Sequence, residues 1–133
     1  MSQPEPRWDR DYAYGVQGEL AVDDMLDQLA RRQLTREDKR KRRLDAMLYI
    51  EVEQNPWNRG TWKPSGIEVT ESDVWTYKVD DAQVVFVFEV AVLRRAVAEA
   101  RRRNVSHHCC GGSNPTRGYL LPVGKIIEWG VHV

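Results

Sequence analysis

The sequence predicts an α/β fold in which a β-sheet of mixed sense is flanked by helices, and three patterns predict it. A helical periodicity opens the chain, strand-length apolar or alternating segments fill its middle, and a basic helical segment followed by one more strand closes it. With 133 residues, 41% of them hydrophobic and 30% charged, the chain is expected to form a single domain over 1–133, with 1–8 as a flexible N-terminal tail.

The elements follow in order. From residue 11 to about 32, Val16, Leu20, Val22, Leu26 and Leu29 recur near helical spacing. Gly15 and Gly18 each cost such a helix about 1 kcal/mol relative to alanine, which leads to the expectation that something approaches closely there. Residues 34–41 are short enough for a strand antiparallel to the next, with a turn near 42–46. In MLYIEVE, residues 47–53, Leu48, Ile50 and Val52 point to one face and Tyr49, Glu51 and Glu53 to the other, the alternation of a strand. NPWNRGTWKPSGIEV, residues 55–69, reads as a long ordered loop. Thr70-Glu71-Ser72-Asp73 resembles a capping box for a short helical turn. Residues 74–79 and 84–90 are two strands about Asp80-Asp81-Ala82, and the second, apolar at successive positions, is expected to be central. Residues 91–103 form a helix with a basic face, 111–118 a loop and 119–123 a last strand, leaving a short helix or edge at the end.

Composition excludes some classes. The longest apolar run, 84–88, falls far short of the ~20 residues of a membrane span. The N-terminus has no basic start followed by an apolar stretch, and the only two cysteines, Cys109 and Cys110, are adjacent. No secretion signal or disulfide framework is expected, and an intracellular setting with reduced thiols follows. The net charge of zero conceals blocks: 1–30 carries −5, 31–43 carries +6, 44–93 carries −6 and 94–133 carries +5. Such segregation suits a basic strip that tracks phosphates beside carboxylates that hold a hard cation. It equally suits two solvated helix faces.

Glu51 and Glu53, two apart on a strand, share a face within reach of one cation. Glu37 and Lys39 have the same spacing. Two carboxylates and a lysine supply what metal-assisted phosphodiester hydrolysis needs: acids for Mg²⁺, a metal to polarise phosphate and activate water, and an ammonium to stabilise developing charge. The alternative is alternating glutamates on the wet side of a half-covered strand. Glu19 follows Gly18 on the first helix, and its glycine neighbours free the surface beside it.

Several segments together carry a resemblance. RDYAYGVQGEL resembles a G-x-x-G-E helix, Glu37-Asp38-Lys39-Arg40 an E-x-K-R element, and Tyr49-Ile50-Glu51-Val52-Glu53 a Y-I-E-x-E strand. Trp62-Lys63-Pro64-Ser65-Gly66-Ile67, then Thr70 and Val74-Trp75, and the glycine-rich Gly112-Ser113-Asn114-Pro115-Thr116-Arg117-Gly118, follow in matching order. Over roughly residues 8–127 the chain resembles phage-encoded endonucleases of the PD-(D/E)xK superfamily, which share their fold with Holliday junction resolvases and many restriction enzymes. The resemblance implies a restriction-endonuclease-like mixed sheet flanked by helices. It also implies a Mg²⁺- or Mn²⁺-dependent, structure-selective DNA endonuclease, homodimeric and, if phage-encoded, at work in the bacterial host cytoplasm. The metal would be held by Glu51, by Glu37 or Asp38, and by Glu53. Lys39 would orient water and stabilise charge, and Glu19 would position the metal or its water.

The chain departs from that pattern in two places. Its second strand ends Glu51-Val52-Glu53 without a lysine, so either Lys39 substitutes from the neighbouring strand or the strand works as an E-x-E variant with Asp38 as first acid. Side-chain parity decides between Glu37 and Asp38. Lys41 stands where those relatives carry Asp, and Asp45-Ala46-Met47 replaces their T-G-N turn, so reduced or absent activity is a further expectation. Arg36, Arg40, Lys41, Arg42 and Arg43, with Lys63, Arg94, Arg95, Arg101, Arg102 and Arg103, are the expected backbone contacts. Trp57, Trp62 and Trp75 either stack on unpaired bases near Arg59 and Lys63 or anchor core and loop, with Trp62 the one expected to be exposed. His107-His108-Cys109-Cys110 lacks the spacers that let zinc ligands converge. Two other functions stay open: a catalytically silent DNA-binding protein that keeps the nuclease fold, and a phage protein-interaction module.

Overall fold

The computed structural model of the protein describes residues 6–31, 33–41, 45–80 and 82–131. They are mixed α/β, and the chain divides into two compact units, Met1–Thr35 and Arg36–Val133. The first is built on helix α1 (Pro6–Ala30). Val16, Leu20, Val22 and Leu26 of its apolar series are exposed. A Cβ added at Gly18 would meet no atom within 4 Å, so the surface beside it is open. The surroundings of Gly15, and residues 1–5 of the expected tail, lie outside the described residues.

The second unit contains strands β1 (Arg36–Lys41), β2 (Met47–Gln54), β3 (Lys63–Pro64), β4 (Val74–Val79), β5 (Val85–Glu89), β6 (His108–Cys110) and β7 (Thr116–Pro122). Helix α2 (Val90–Arg102) separates β5 from β6, and α3 (Val123–Val131) follows β7. The strands form two sheets, not one: a three-stranded sheet ordered β1-β4-β5 and a four-stranded sheet ordered β3-β2-β7-β6. The expected antiparallel pairing of residues 34–41 with β2 is therefore corrected. β1 runs parallel to β4, from Arg36 opposite Val74 to Lys41 opposite Val79.

The inward residues explain this pairing. β2 buries Leu48, Ile50 and Val52, and its antiparallel partner β7 buries Tyr119 and Leu121. β1 turns Glu37, Lys39 and Lys41 to its half-buried side. A strand with charged inward positions cannot share the apolar floor of β2, and it goes to the edge of the other sheet. Both sheets and the apolar faces of α2 and α3 meet in one core containing Ile50, Trp75, Leu93, Val97 and Ile126. Each fully buried aliphatic side chain there contributes about 1.5–3 kcal/mol relative to exposure.

Three further expectations are corrected. β5 is an edge strand and β4 the central one. Phe86 and Phe88 pack against the core while Val85 and Val87 are exposed, so its successive apolar residues do not mark burial on both faces. Thr70 caps no helix: its Oγ1 accepts the backbone N–H of Ser72 at 3.2 Å, two residues on, and the β-branched and aromatic VWTYKV that follows extends as β4. A helical turn instead occurs earlier, at Gly66–Glu68, and Pro56–Asn58 forms a tight turn with Trp57 and Asn58 at positive φ. β6, in the His-His-Cys-Cys segment, was not expected as a strand. Among the described residues no helix is long and apolar enough to cross a membrane.

Two glycines pin β2. A Cβ on Gly66, whose φ is +54°, would lie 2.8 Å from the Cβ of Glu51 and closer still to its carbonyl oxygen. A Cβ on Gly118 would lie 2.9 Å from the Cα of Glu51 and closer to the carbonyl oxygen of Ile50. Gly60 also has positive φ, +80°, but faces open space, which separates strain from crowding. Gly60→Ala should cost about 1 kcal/mol and Gly66→Ala about 3 kcal/mol, read as the two shifts in urea unfolding midpoint.

Candidate functional site

A cavity of about 500 Å³ opens between the two sheets of the second unit. β1 contributes Lys39, Arg40 and Lys41, β4 contributes Trp75 and Tyr77, β2 contributes Tyr49 and Glu51, and β6 contributes His108 and Cys110. Tyr77 ties the sheets together by donating its hydroxyl to the carbonyl of Tyr49 at 3.0 Å.

Side-chain alternation along β1 resolves the parity left open by the sequence. Glu37 and Lys39 share the half-buried side, and the Lys39 ammonium donates to Glu37 Oε1 at 2.8 Å. The ammonium also stands 4.6 Å from the ring centroid of Trp75. Glu37 Oε2 accepts the Thr70 hydroxyl at 3.0 Å, and Thr70 Oγ1 accepts Trp75 Nε1–H at 3.3 Å. Burial opposes the charged form of Glu37, but the hydrogen bond and charge of Lys39, with help from Thr70 and Trp75, hold its carboxyl below the ordinary value of 4.5. Asp38 lies on the other, exposed side, where it accepts the Thr76 hydroxyl at 2.6 Å and faces Arg36 at 3.5 Å.

The Glu51 and Glu53 pair also separates. Glu51 lines the cavity. The register of β2 against β7 shifts between them, and Glu53 accepts Arg117 Nε–H at 2.6 Å, so its charge is matched locally. Among the described residues no three His, Cys, Asp or Glu side chains are grouped to hold a metal ion. The donor set therefore does not fit an all-protein cage. The carboxylates that line the cavity are Glu51 and Asp45, and Asp45 is paired with Lys41; a hard cation that keeps several waters needs only one or two protein carboxylates.

Glu51 stands opposite Gly118 on β7, and Gly118 stands opposite His108 on β6. Residues in one cross-strand row share a face, and between these two the β2 backbone fills the space that a side chain at Gly118 would need. The strand positions of Glu51 and His108 are two strand spacings, about 10 Å, apart, and both residues line the cavity. Tyr49 borders it, its ring edge-on to His108 with centroids 5.8 Å apart and its hydroxyl 2.9 Å from Thr116 Oγ1. Burial pushes its phenol well above the ordinary value, so the hydroxyl stays neutral. Sequence reasoning passed over Tyr49 and His108 as parts of a site; the signal available was the i, i+2 spacing of Tyr49 with Glu51 and of His108 with Cys110.

Most of the expected phosphate contacts among the described residues are dispersed and have internal partners. Arg40 pairs with Asp80 at 3.0 Å, and Lys41 pairs with Asp45. Arg94 donates to the carbonyls of Ile67 and Thr70, Arg95 to that of Gly130, and Arg101 pairs with Glu68 at 2.6 Å. Arg102 and Arg103 both hydrogen-bond Glu99, whose carboxyl they hold down at about 2. Lys63 is exposed on β3, while Arg42 and Arg43 lie outside the described residues. Glu19 is an exposed residue of α1, in the first unit. Trp75 is fully buried, Trp62 is half-buried with the Arg117 guanidinium 4.4 Å from its ring centroid, and Trp57, not Trp62, is the exposed tryptophan.

Because its folded-state carboxyl titrates below the ordinary value, Glu37 contributes stability that is fully present above pH 4.5 and is lost as pH falls through the folded value. Carboxyl-carbon NMR should show the Glu37 midpoint below 4.5, and in Lys39→Ala, where burial goes uncompensated, that midpoint should move up. No family model, curated protein or solved structure matches this chain.

Proposed function

We propose that the second unit is a metal-dependent, structure-selective DNA endonuclease of resolvase type, built on a restriction-endonuclease-like scaffold whose strands are divided between two sheets. One observation carries the reading: Lys39, from an E-x-K strand, and Glu51, from a separate strand, line one cavity. A lysine and a carboxylate facing a common space of that size are what a phosphodiester requires on its two sides.

The roles follow from the contacts. Glu51, clamped through its backbone by Gly66 and Gly118, would hold the divalent cation. Once bound, that cation would supply charge neutralisation and a more acidic water. Glu37 positions Lys39, whose ammonium stabilises the charge that develops on the phosphate oxygens. His108, which lines the same cavity, exchanges a proton with the attacking water or the departing oxygen. A homodimer belongs to the same reading, since a four-way junction offers two symmetry-related scissile bonds to a two-fold enzyme.

A second reading, a silent DNA-binding protein, is favoured by the engagement of Lys39 with Glu37 and of Glu53 with Arg117, which leaves Glu51 as the cavity's glutamate. The decisive experiment incubates a labelled four-way junction, a flap and a linear duplex with the protein in Mg²⁺, Mn²⁺ or EDTA. Metal-dependent cleavage of the branched substrates is expected, with Glu51→Ala reducing the rate about 10³-fold and Lys39→Ala about 10²-fold. Tight, salt-sensitive junction binding without cleavage under any metal would transfer the conclusion to the silent binder.

A further inference from the structure

The loop between β2 and β3 holds a tryptophan in a way its packing does not require. Trp57 is 69% exposed, the most exposed large hydrophobic side chain among the described residues. Trp57 and Asn58 have φ of 59° and 53°, two consecutive non-glycine residues in the left-handed region, where a side chain is disfavoured. Such a backbone persists only if its surroundings dictate it, and here they do. Asn55, 4% exposed, donates its N–H to Pro115 O at 2.8 Å and accepts that of Asn58 at 3.0 Å. The Trp57 N–H donates to Asn114 Oδ1 at 2.9 Å. The loop is fastened to the Gly112–Gly118 segment at its base and at the Trp57 backbone, so the indole projects to solvent from a fixed backbone.

The charge within the loop and its anchoring segment has one sign. No acidic residue occurs in 54–67 or in 100–127. Arg59 and Lys63 are exposed and enter no ion pair among the described residues. The loop also contains no leucine, isoleucine or valine, so it lacks the apolar area that a lipid surface would take up. An exposed aromatic face on a fastened backbone, with cations close by in the chain, is what an unpaired nucleobase and its phosphates recognise. β2 leads from Glu51 in the cavity wall directly into this loop, and the six residues from Glu51 to Trp57 span at most about 20 Å, so a single DNA strand reaches both.

We infer that Trp57 is a stacking platform for an unpaired base and sets the preference of the site for branched or single-stranded DNA. The inference rests on the proposal that DNA is the ligand and adds which structural feature of it is read, and by which residue.

The test is binding in EDTA, which is independent of cleavage. Fluorescence anisotropy would compare a labelled single-stranded oligonucleotide, a flapped duplex and a blunt duplex against wild type, Trp57→Ala and Trp57→Phe, each checked for an unchanged urea midpoint. Trp57→Ala should weaken the single-stranded and flapped ligands about tenfold and leave the blunt duplex unchanged. Trp57→Phe should restore most of the loss, and unlabelled single strand should quench tryptophan emission of the wild type more than that of Trp57→Phe. Equal binding of the single strand by wild type and Trp57→Ala would overturn the inference while leaving a DNA ligand intact, as would equal losses on blunt and flapped DNA. Absence of binding to every DNA at low salt would overturn both the inference and the nuclease reading. Capture of anionic vesicles lost in Trp57→Ala, without DNA binding, would reassign the loop to a membrane surface.

Discussion

The organisation of the second unit depends on how closely two backbones approach β2 at Glu51. Gly66 and Gly118 bring neighbouring chain segments to distances at which a single methyl group would collide with the Ile50–Glu51 backbone. That approach leaves the β2 backbone little freedom at this point, and two consequences follow. The buried face, Leu48, Ile50 and Val52, is held in register with Tyr119 and Leu121 of β7, which sets the core. The opposite face, Tyr49 and Glu51, is held toward the cavity. Because side chains alternate along a strand, one constraint on one peptide determines both faces.

The cavity exists because the two sheets are bridged without being merged. The hydroxyl of Tyr77 on the carbonyl of Tyr49 links them, and Lys39, Glu37, Thr70 and Trp75 form a connected polar group at the edge of the core. Charged residues on a half-buried strand are tolerated only with such partners. β1 therefore carries ion-paired residues where β2 carries aliphatic ones. Much of the arginine charge is used in the same way. Arg94 and Arg95 satisfy carbonyls at turn and helix ends, and Arg101, Arg102 and Arg103 are matched by Glu68 and Glu99. Exposed pairs of this kind contribute little stability each, but they absorb much of the basic face that the sequence displays on α2.

Against this background of matched charge, the end of the four-stranded sheet beyond Glu53 stands apart. There Arg59 and Lys63 are exposed, and a strained loop holds an indole in solvent. Strain retained beside a rigid anchor is more informative about function than exposure alone, because folding would otherwise remove it.

The sequence by itself determined the elements whose cause is local. Alternation placed β2 at 47–54 and β4 at 74–79, helical periodicity placed α1 and α2, and the two-residue spacing singled out Glu51, Glu37 and Lys39. The glycines at 66 and 118 stood out within their motifs, although the reason for them, crowding against Glu51, lies in a different strand. Tertiary structure alone decided which strands pair, because pairing depends on which faces are apolar enough to share a floor, and that compares segments far apart in the chain. It decided that Glu37, not Asp38, accompanies Lys39, that Glu53 is drawn away to Arg117, that β5 lies at an edge, and that His108 and Tyr49 join Glu51. It also decided which of Trp57 and Trp62 faces solvent, since the Arg117 guanidinium covers the Trp62 ring while the Trp57 indole stays exposed.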